Sequence, residues 1–405
     1  MSMNSKSEAE SARQVATGLV RACATTVAST ERSSLIRQLA GECRDWEYFT
    51  QACKDHRVSS LVCHTLVAHA ADLIPAAVRE LLHARFRANA CRNLFLTQEL
   101  LQLVQKFRQQ GIEVIPFKGP LLAVTAYGNL ALREFVDLDI LVSKDNFHRA
   151  RTLMKGLGYR PPGGDDARLE ASYFESQLGS DHVREDGKVT LELHWSFIQT
   201  WLGFNVDIQT VWVLSRPYLV GSVPLLNLPA DITLIYLCAH GAKHRWSRLC
   251  WLVDIVEVLR SRSDLNWDAL LAQATRSGCL RTLFIGLKLA QTLLGAAIPD
   301  RVVACIQLDR QAVALAQSLA LQMFAPGKNY FHQHFGWGWD WYHICTKERW
   351  REKMMYLGQL SIWYMEPNDK DRAWITLPRG LHWLYPVIRP VRVACQSRQS
   401  TVDTL

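Results

Sequence analysis

The run Phe135-Val136-Asp137-Leu138-Asp139-Ile140-Leu141-Val142 reads as a β-strand. Side chains alternate between the two faces of a strand. Asp137 and Asp139 therefore share one face, while Leu138 and Ile140 point the other way into a core. Two neighbouring carboxylates repel, and burying them is costly without a counter-charge. A divalent cation supplies one, since Mg2+ is held by one or two carboxylates together with substrate phosphates. An isolated Asp-x-Asp is more often a solvated strand end, but this one has company on both sides.

Upstream, Ile112–Phe117 is a short apolar run and reads as a buried strand. Phe117-Lys118-Gly119-Pro120 then turns it into a helix over Leu121–Tyr127. Glycine permits close backbone approach, proline suits a first helical turn, and a helix N-terminus favours phosphate. Lys118 adds positive charge there, so Lys118 and Gly119 are candidate nucleotide contacts. Arg133 either meets a substrate phosphate or pairs with Asp137 or Glu134.

Downstream, Asp145–Leu157 reads as a helix ended by Gly158, and Val189–His194 as a further strand. In that strand Glu192 shares a face with Thr190, opposite Val189, Leu191 and Leu193. Glu192 is a candidate third carboxylate. Three carboxylates from two neighbouring strands can hold two metal ions ~4 Å apart. The intervening 160–187, with Pro161-Pro162-Gly163-Gly164, reads as a loop with an added strand near Tyr173.

The rest of the chain reads as mostly helical. Residues 1–30 are rich in Ser, Ala and Thr and are expected to be disordered. Residues 31–111 carry helical spacing, as in Leu35, Leu39 and Cys43, and later Leu100, Val104 and Phe107. The strand-bearing unit spans 112–200, a helical domain 201–345, and a basic, aromatic tail 346–405. The fold class is α+β: a mixed sheet with helices, flanked by helical regions on both sides.

His240, Lys243 and His244 fall on one helical face and are candidate substrate contacts. Zinc binding by the histidine pair lacks an H-E-x-x-H pattern and a third ligand. A buried polar cluster, paired with Asp254, is the structural alternative. Tyr330–Trp339, dense in aromatic and histidine residues, reads as a loop plugging the core more readily than as a base-stacking platform. The tail is expected to pack on the domain rather than lie on a membrane, because Pro378, Pro386 and Pro390 interrupt any continuous amphipathic helix.

The 405 residues are 49% hydrophobic and 21% charged, which excludes wholesale disorder. A formal net charge of +8 suits an anionic substrate but not a dedicated DNA binder. The 11 cysteines include no C-x-x-C pair, and the polar start lacks an apolar signal core, so a cytoplasmic chain with free thiols is expected. No apolar run reaches transmembrane length.

Taken in order, Phe117-Lys118-Gly119-Pro120-Leu121-Leu122, Tyr127-Gly128, Arg133 and Asp137–Val142 resemble the uncharacterised bacterial nucleotidyltransferases of the DNA polymerase β-like superfamily. Leu191-Glu192-Leu193-His194-Trp195 and His240-Gly241-Ala242-Lys243-His244-Arg245-Trp246, continuing through Trp251–Ile255, extend the similarity over roughly 35–260. The resemblance implies a nucleotidyltransferase palm at 112–200, with its active site in a cleft against 230–260. It implies an NTP donor, two-metal chemistry with Mg2+ or Mn2+, Asp137 and Asp139 as the metal pair, and Glu192 as the third ligand. The acceptor (small molecule, saccharide or protein) is not named by it. The chain departs from the superfamily's Gly-Ser helix start: Pro120 offers neither N–H nor hydroxyl, and Lys118 is expected to compensate. An NTP-dependent phosphotransferase and a non-catalytic nucleotide-binding protein are the alternative readings.

Overall fold

The computed structural model describes residues 3–27, 29–161, 179–196, 206–262, 265–325, 337–365, 374, 375, 377, 379–389, 391 and 392. The expected strand near Tyr173 and the stretch Tyr330–Gly336 lie outside the described residues.

Helices α1 (Met3–Cys23), α2 (Thr30–Glu42), α3 (Trp46–Asp55) and α4 (Ser59–Ala70) lead into the long α5 (Ala76–Gln109). The expected disorder of the first 30 residues is corrected here. In α1, Ala16, Leu19, Val20 and Cys23 are fully buried. They recur at helical spacing, and burying that stripe outweighs the poor helix propensity of the surrounding Ser and Thr. Just beyond, the Thr26 N–H donates to Glu257 Oε1 at 2.8 Å, tying this segment to a helix more than 200 residues away.

Gly111, at φ +65°, ends the α5 segment in the left-handed conformation that glycine tolerates. The chain then builds β1 (Val114–Pro116), α6 (Gly119–Thr125), β2 (Asp137–Val142), α7 (Phe147–Gly156), β3 (Tyr159–Arg160), β4 (Gly179–Arg184) and β5 (Thr190–His194). The strands form one mixed sheet in the order β1-β2-β5-β4-β3. β2 and β5 are parallel, and the other neighbours are antiparallel. Crossing from β2 to β5 takes the chain through α7 and two further strands, as a parallel pair requires a long connection.

Leu138, Ile140, Val142, Leu191 and Leu193 line one sheet face and pack with Leu100, Val104 and Phe107 of α5 and Phe147 and Met154 of α7. The opposite face is split. Its edge, Ile115, Phe117 and Leu141, joins a large core shared with the C-terminal helices. The remainder carries the polar residues.

After α8 (Ile208–Leu214) comes a hairpin, β6 (Arg216–Val220) and β7 (Val223–Asn227), within the span expected to be helical. Gly221, at φ +61°, makes its turn, and Val220 and Leu225 add to the core beneath the sheet. Then follow α9 (Ala230–Lys243), α10 (Cys250–Ser261), α11 (Trp267–Arg276), α12 (Leu280–Leu294), α13 (Asp300–Leu308) and α14 (Arg310–Gln322). Beyond residue 336 lie α15 (Trp337–Thr346) and α16 (Trp350–Met365). No described helix is long and apolar enough to cross a membrane, and none of the described cysteines is in a disulfide.

The end of α9 has a specific construction. Arg245 and Trp246 adopt φ +50° and +54°, and the Trp246 N–H returns to the Gly241 carbonyl at 2.8 Å. This folds the Trp246 ring back under the helix, where it is 1% exposed. A Cβ at Gly241 would lie 2.3 Å from that ring, and one at Gly286 on α12 would lie 2.9 Å from it. The Gly241 of the His-Gly-Ala-Lys-His motif is therefore room for a tryptophan, which fixes the direction of the helix bearing His240 and Lys243.

Candidate active site

Register decides which side chains meet. Asp139 on β2 sits directly beside Glu192 on the parallel β5, and Glu192 sits beside Asp181 on β4. These three residues form a row across one sheet face. Asp137, two residues before Asp139, shares that face beside Thr190. His194, two residues after Glu192, shares it as well.

Asp139 is 3% exposed. Its Oδ1 makes an ion pair with Lys118 Nζ at 2.6 Å and lies 3.5 Å from His194 Nε2. Its Oδ2 is buried and has no hydrogen-bond partner. His194 Nε2 also approaches Glu192 Oε2 at 3.2 Å. One ligand atom from each of Asp139, Glu192 and His194 can be chosen so that all lie within 4.8 Å of one another. Asp137 stands outside that set. Its carboxyl is held above the usual carboxylate range by burial and by Asp139, against the opposing charge of Lys118.

The protonation states follow from these neighbours. Burial penalises the Asp139 carboxylate, but Lys118 and His194 more than offset this and hold its pKa well below the ordinary value. Burial also penalises the Lys118 ammonium. Asp139, Tyr236, Glu192 and Asp137 outweigh the penalty and keep it charged, with a pKa well above that of free lysine. His194 is shifted upward, its burial overcome by hydrogen bonds to Asp139 and Glu192.

Helix α9 forms the facing wall. Tyr236, His240 and Lys243 recur at helical spacing. The Tyr236 ring centroid lies 5.7 Å from Lys118 Nζ and 5.2 Å from the Phe117 ring, edge to face. His240 stacks near Tyr236, with centroids 5.9 Å apart. Burial, then the charges of Lys118, His244 and Lys243, push the His240 pKa well down, so it is neutral. Lys243 is shifted downward by burial and couples to Glu192, Lys118, Asp181 and Asp139. His244 caps the helix and stacks on Trp251 at 5.0 Å and 23°.

Among the sequence candidates, the structure brings together Lys118, Asp139, Glu192 and Lys243, with Asp137 and His240 at the rim. Gly119, at φ +49°, opens the short α6, while Lys118 turns to Asp139 instead of facing open space. Arg133 pairs with neither Asp137 nor Glu134. Its Nε and Nη2 donate to Asp254 Oδ1 and Oδ2 at 2.8 and 2.9 Å. Asp254 is thereby taken up by Arg133 and Tyr127.

Sequence reasoning did not select His194, Asp181 or Tyr236. His194 was within reach, because it shares strand parity with Glu192. Tyr236 lies one helical turn before His240. Asp181 had no local signal, since only the β4–β5 register places it beside Glu192.

A divalent ion fits this donor set. Asp139 Oδ2 is a buried anionic oxygen lacking a partner, and such a group costs free energy unless something satisfies it. Two carboxylate oxygens and one imidazole nitrogen suit a first-row divalent cation. A family model described as an uncharacterised nucleotidyltransferase matches residues 42–295. Neither a curated protein nor a solved structure matches the chain.

Proposed function

The chain belongs to this uncharacterised nucleotidyltransferase family, and on that premise we propose that it moves a nucleoside monophosphate from a divalent-metal NTP complex to an acceptor hydroxyl or amine. The supporting observation is the pairing of Asp139 with Glu192 across parallel strands, with the buried Oδ2 of Asp139 left for a cation. In the reaction the acceptor oxygen or nitrogen bonds to the α-phosphorus. The bond from that phosphorus to the bridging oxygen breaks, pyrophosphate leaves, and the acceptor proton passes to solvent. The bound cation, Mg2+ or Mn2+, supplies charge stabilisation to the phosphoryl oxygens.

The chain's own residues position and neutralise. Asp139, Glu192 and His194 would hold the cation, with Asp137 contributing negative charge beside them. Lys118 and Lys243 place ammonium groups where the triphosphate arrives. Tyr236 and neutral His240 offer a ring face and hydrogen-bonding atoms for the base or acceptor. Catalysis rests on positioning and electrostatics with no covalent intermediate.

One observation favours a second reading. The Lys118–Asp139 ion pair occupies one oxygen of a carboxylate that a metal would claim, which suits a protein that binds nucleotide without turning it over. A panel of NTPs with Mg2+ or Mn2+, read as pyrophosphate release in cell extract together with the mass of the acceptor product, separates these readings and phosphoryl transfer. Pyrophosphate together with an acceptor heavier by one nucleotide supports transfer. An acceptor heavier by one phosphate indicates a phosphotransferase, and binding without product indicates the non-catalytic reading.

A further inference from the structure

We propose that this palm works with a single divalent ion, held by Asp139, Glu192 and His194, and that the Lys118 ammonium takes the place of a second ion. The inference rests on the nucleotidyltransferase reading and refines its metal chemistry.

The two oxygens of Asp139 have different surroundings. Oδ1 is already paired with a cation, Lys118 Nζ at 2.6 Å, with His194 Nε2 3.5 Å away. Oδ2 is buried and has no hydrogen-bond partner. A carboxylate that bridges two ions offers one oxygen to each. Here one of those positions is filled by an ammonium that belongs to the chain.

Lys118 is not a loose surface lysine. Its side chain is 12% exposed. The ammonium sits 5.7 Å from the Tyr236 ring centroid and 5.9 Å from that of Phe117. Both rings are buried, at 5% and 4%. Cation–π attraction to both rings and the charge of Asp139 hold it from several sides. Its backbone is anchored between β1 and the positive-φ turn at Gly119. Lys243, on the facing wall, couples to Glu192 and Asp139. Together the two ammonium groups carry the charge of one divalent ion, so the site keeps the positive charge needed against a triphosphate.

The remaining donors also narrow the ion. Imidazole suits first-row transition ions, whereas Mg2+ prefers an all-oxygen shell. The group of ligand atoms lying within 4.8 Å of one another takes its third member from His194 and does not include Asp137. The site is therefore expected to select Mn2+, Co2+ or Zn2+ over Mg2+.

Equilibrium dialysis of the full chain against Mn2+ with inorganic tripolyphosphate, followed by spin counting of bound Mn2+, tests the number without assuming a base. The expected count is one ion per chain. In Lys118→Met the count should rise to two, and in Lys118→Arg it should stay at one. Two ions in the wild-type protein would overturn the inference and leave the nucleotidyltransferase reading intact. An unchanged count of one in folded Lys118→Met would also overturn it. Should Lys118→Met not fold, the wild-type count decides the number on its own. His194→Gln should weaken Mn2+ at least about tenfold and Mg2+ much less; equal losses, or none, would remove His194 from the ligand set. A count of one with no product from any NTP would leave the metal site standing and sink the transferase reading instead.

Discussion

Asp254 and Asp139 are both buried carboxylates, 2% and 3% exposed, and their surroundings differ. Asp254 is complete. Its Oδ1 accepts from the Tyr127 hydroxyl at 2.6 Å and from Arg133 Nε at 2.8 Å, and its Oδ2 accepts from Arg133 Nη2 at 2.9 Å. The Arg133 loop is itself held to α5, where Asn93 Nδ2 donates to the Arg133 carbonyl at 2.8 Å. Asp139 Oδ1 has Lys118 Nζ at 2.6 Å and His194 Nε2 at 3.5 Å, while its Oδ2 has no hydrogen-bond partner. A satisfied network rigidifies, and here it fastens α10 to the segment leading into β2. An unsatisfied buried carboxylate oxygen costs free energy unless a ligand completes it.

The sharpest way to break this comparison is to substitute both carboxylates conservatively. Asp139→Asn should abolish metal-dependent turnover. It should also leave Lys118 buried without its partner, costing about 3–5 kcal/mol of metal-free stability. Urea unfolding without metal checks this, and a variant as stable as wild type would show that the ion pair contributes nothing. Arg133→Met, at the complete site, should cost a similar ~3–5 kcal/mol while leaving the Mn2+ count unchanged. Loss of metal binding in that variant, with the fold retained, would erase the distinction between the two sites.

His56 sharpens the contrast, because it is a buried titratable group outside the candidate metal site. Burial lowers its pKa from 6.5 to about 4, and its Nδ1 accepts the Leu249 N–H at 3.2 Å. A depressed histidine must take up a proton on unfolding. Its contribution is therefore full above pH 6.5, declines as pH falls, and is lost by about pH 4. That amounts to about 3 kcal/mol. Comparing unfolding of wild type and His56→Gln at pH 7 and pH 4.5 measures it, and parallel pH profiles would refute it.

Two smaller effects concern the facing wall. Gly241→Ala should cost about 1–3 kcal/mol, because the added methyl meets Trp246 and the helix end must shift. Metal binding should survive, with turnover falling as the wall moves, so a wild-type melting temperature would contradict the account of Trp246. His244→Ala loses its stacking on Trp251, worth about 1 kcal/mol. Lys243→Met should do the reverse, reducing turnover with little change in melting. If the two variants exchange these signatures, the roles of the two residues are exchanged.

Much of the sheet was legible because strand parity is local. Alternation put Asp137 and Asp139 on one face and set Glu192 opposite the leucines of its own strand, and the β2–β5 pairing brings those faces together. Parity also held the signal for His194, masked by the habit of reading acids as the ligands. The buried stripe of α1 was hidden by weak helix formers. The hairpin at Arg216–Asn227 fell inside the 201–345 span assigned as a whole to a helical domain.

What the sequence determined by itself was which residues share a face, since a strand repeats every two residues and a helix every 3.6 wherever it is put. It also determined that Gly111 and Gly119 turn the chain, because positive φ is cheap only for glycine. The tertiary structure alone decided which charge meets which. Lys118 met Asp139, and Arg133 met Asp254 across 121 positions of chain. An ion pair acts over a few ångströms of space and carries no trace of the chain length between its partners. Packing and register set those distances, and so decided which buried carboxylate was completed and which was left open.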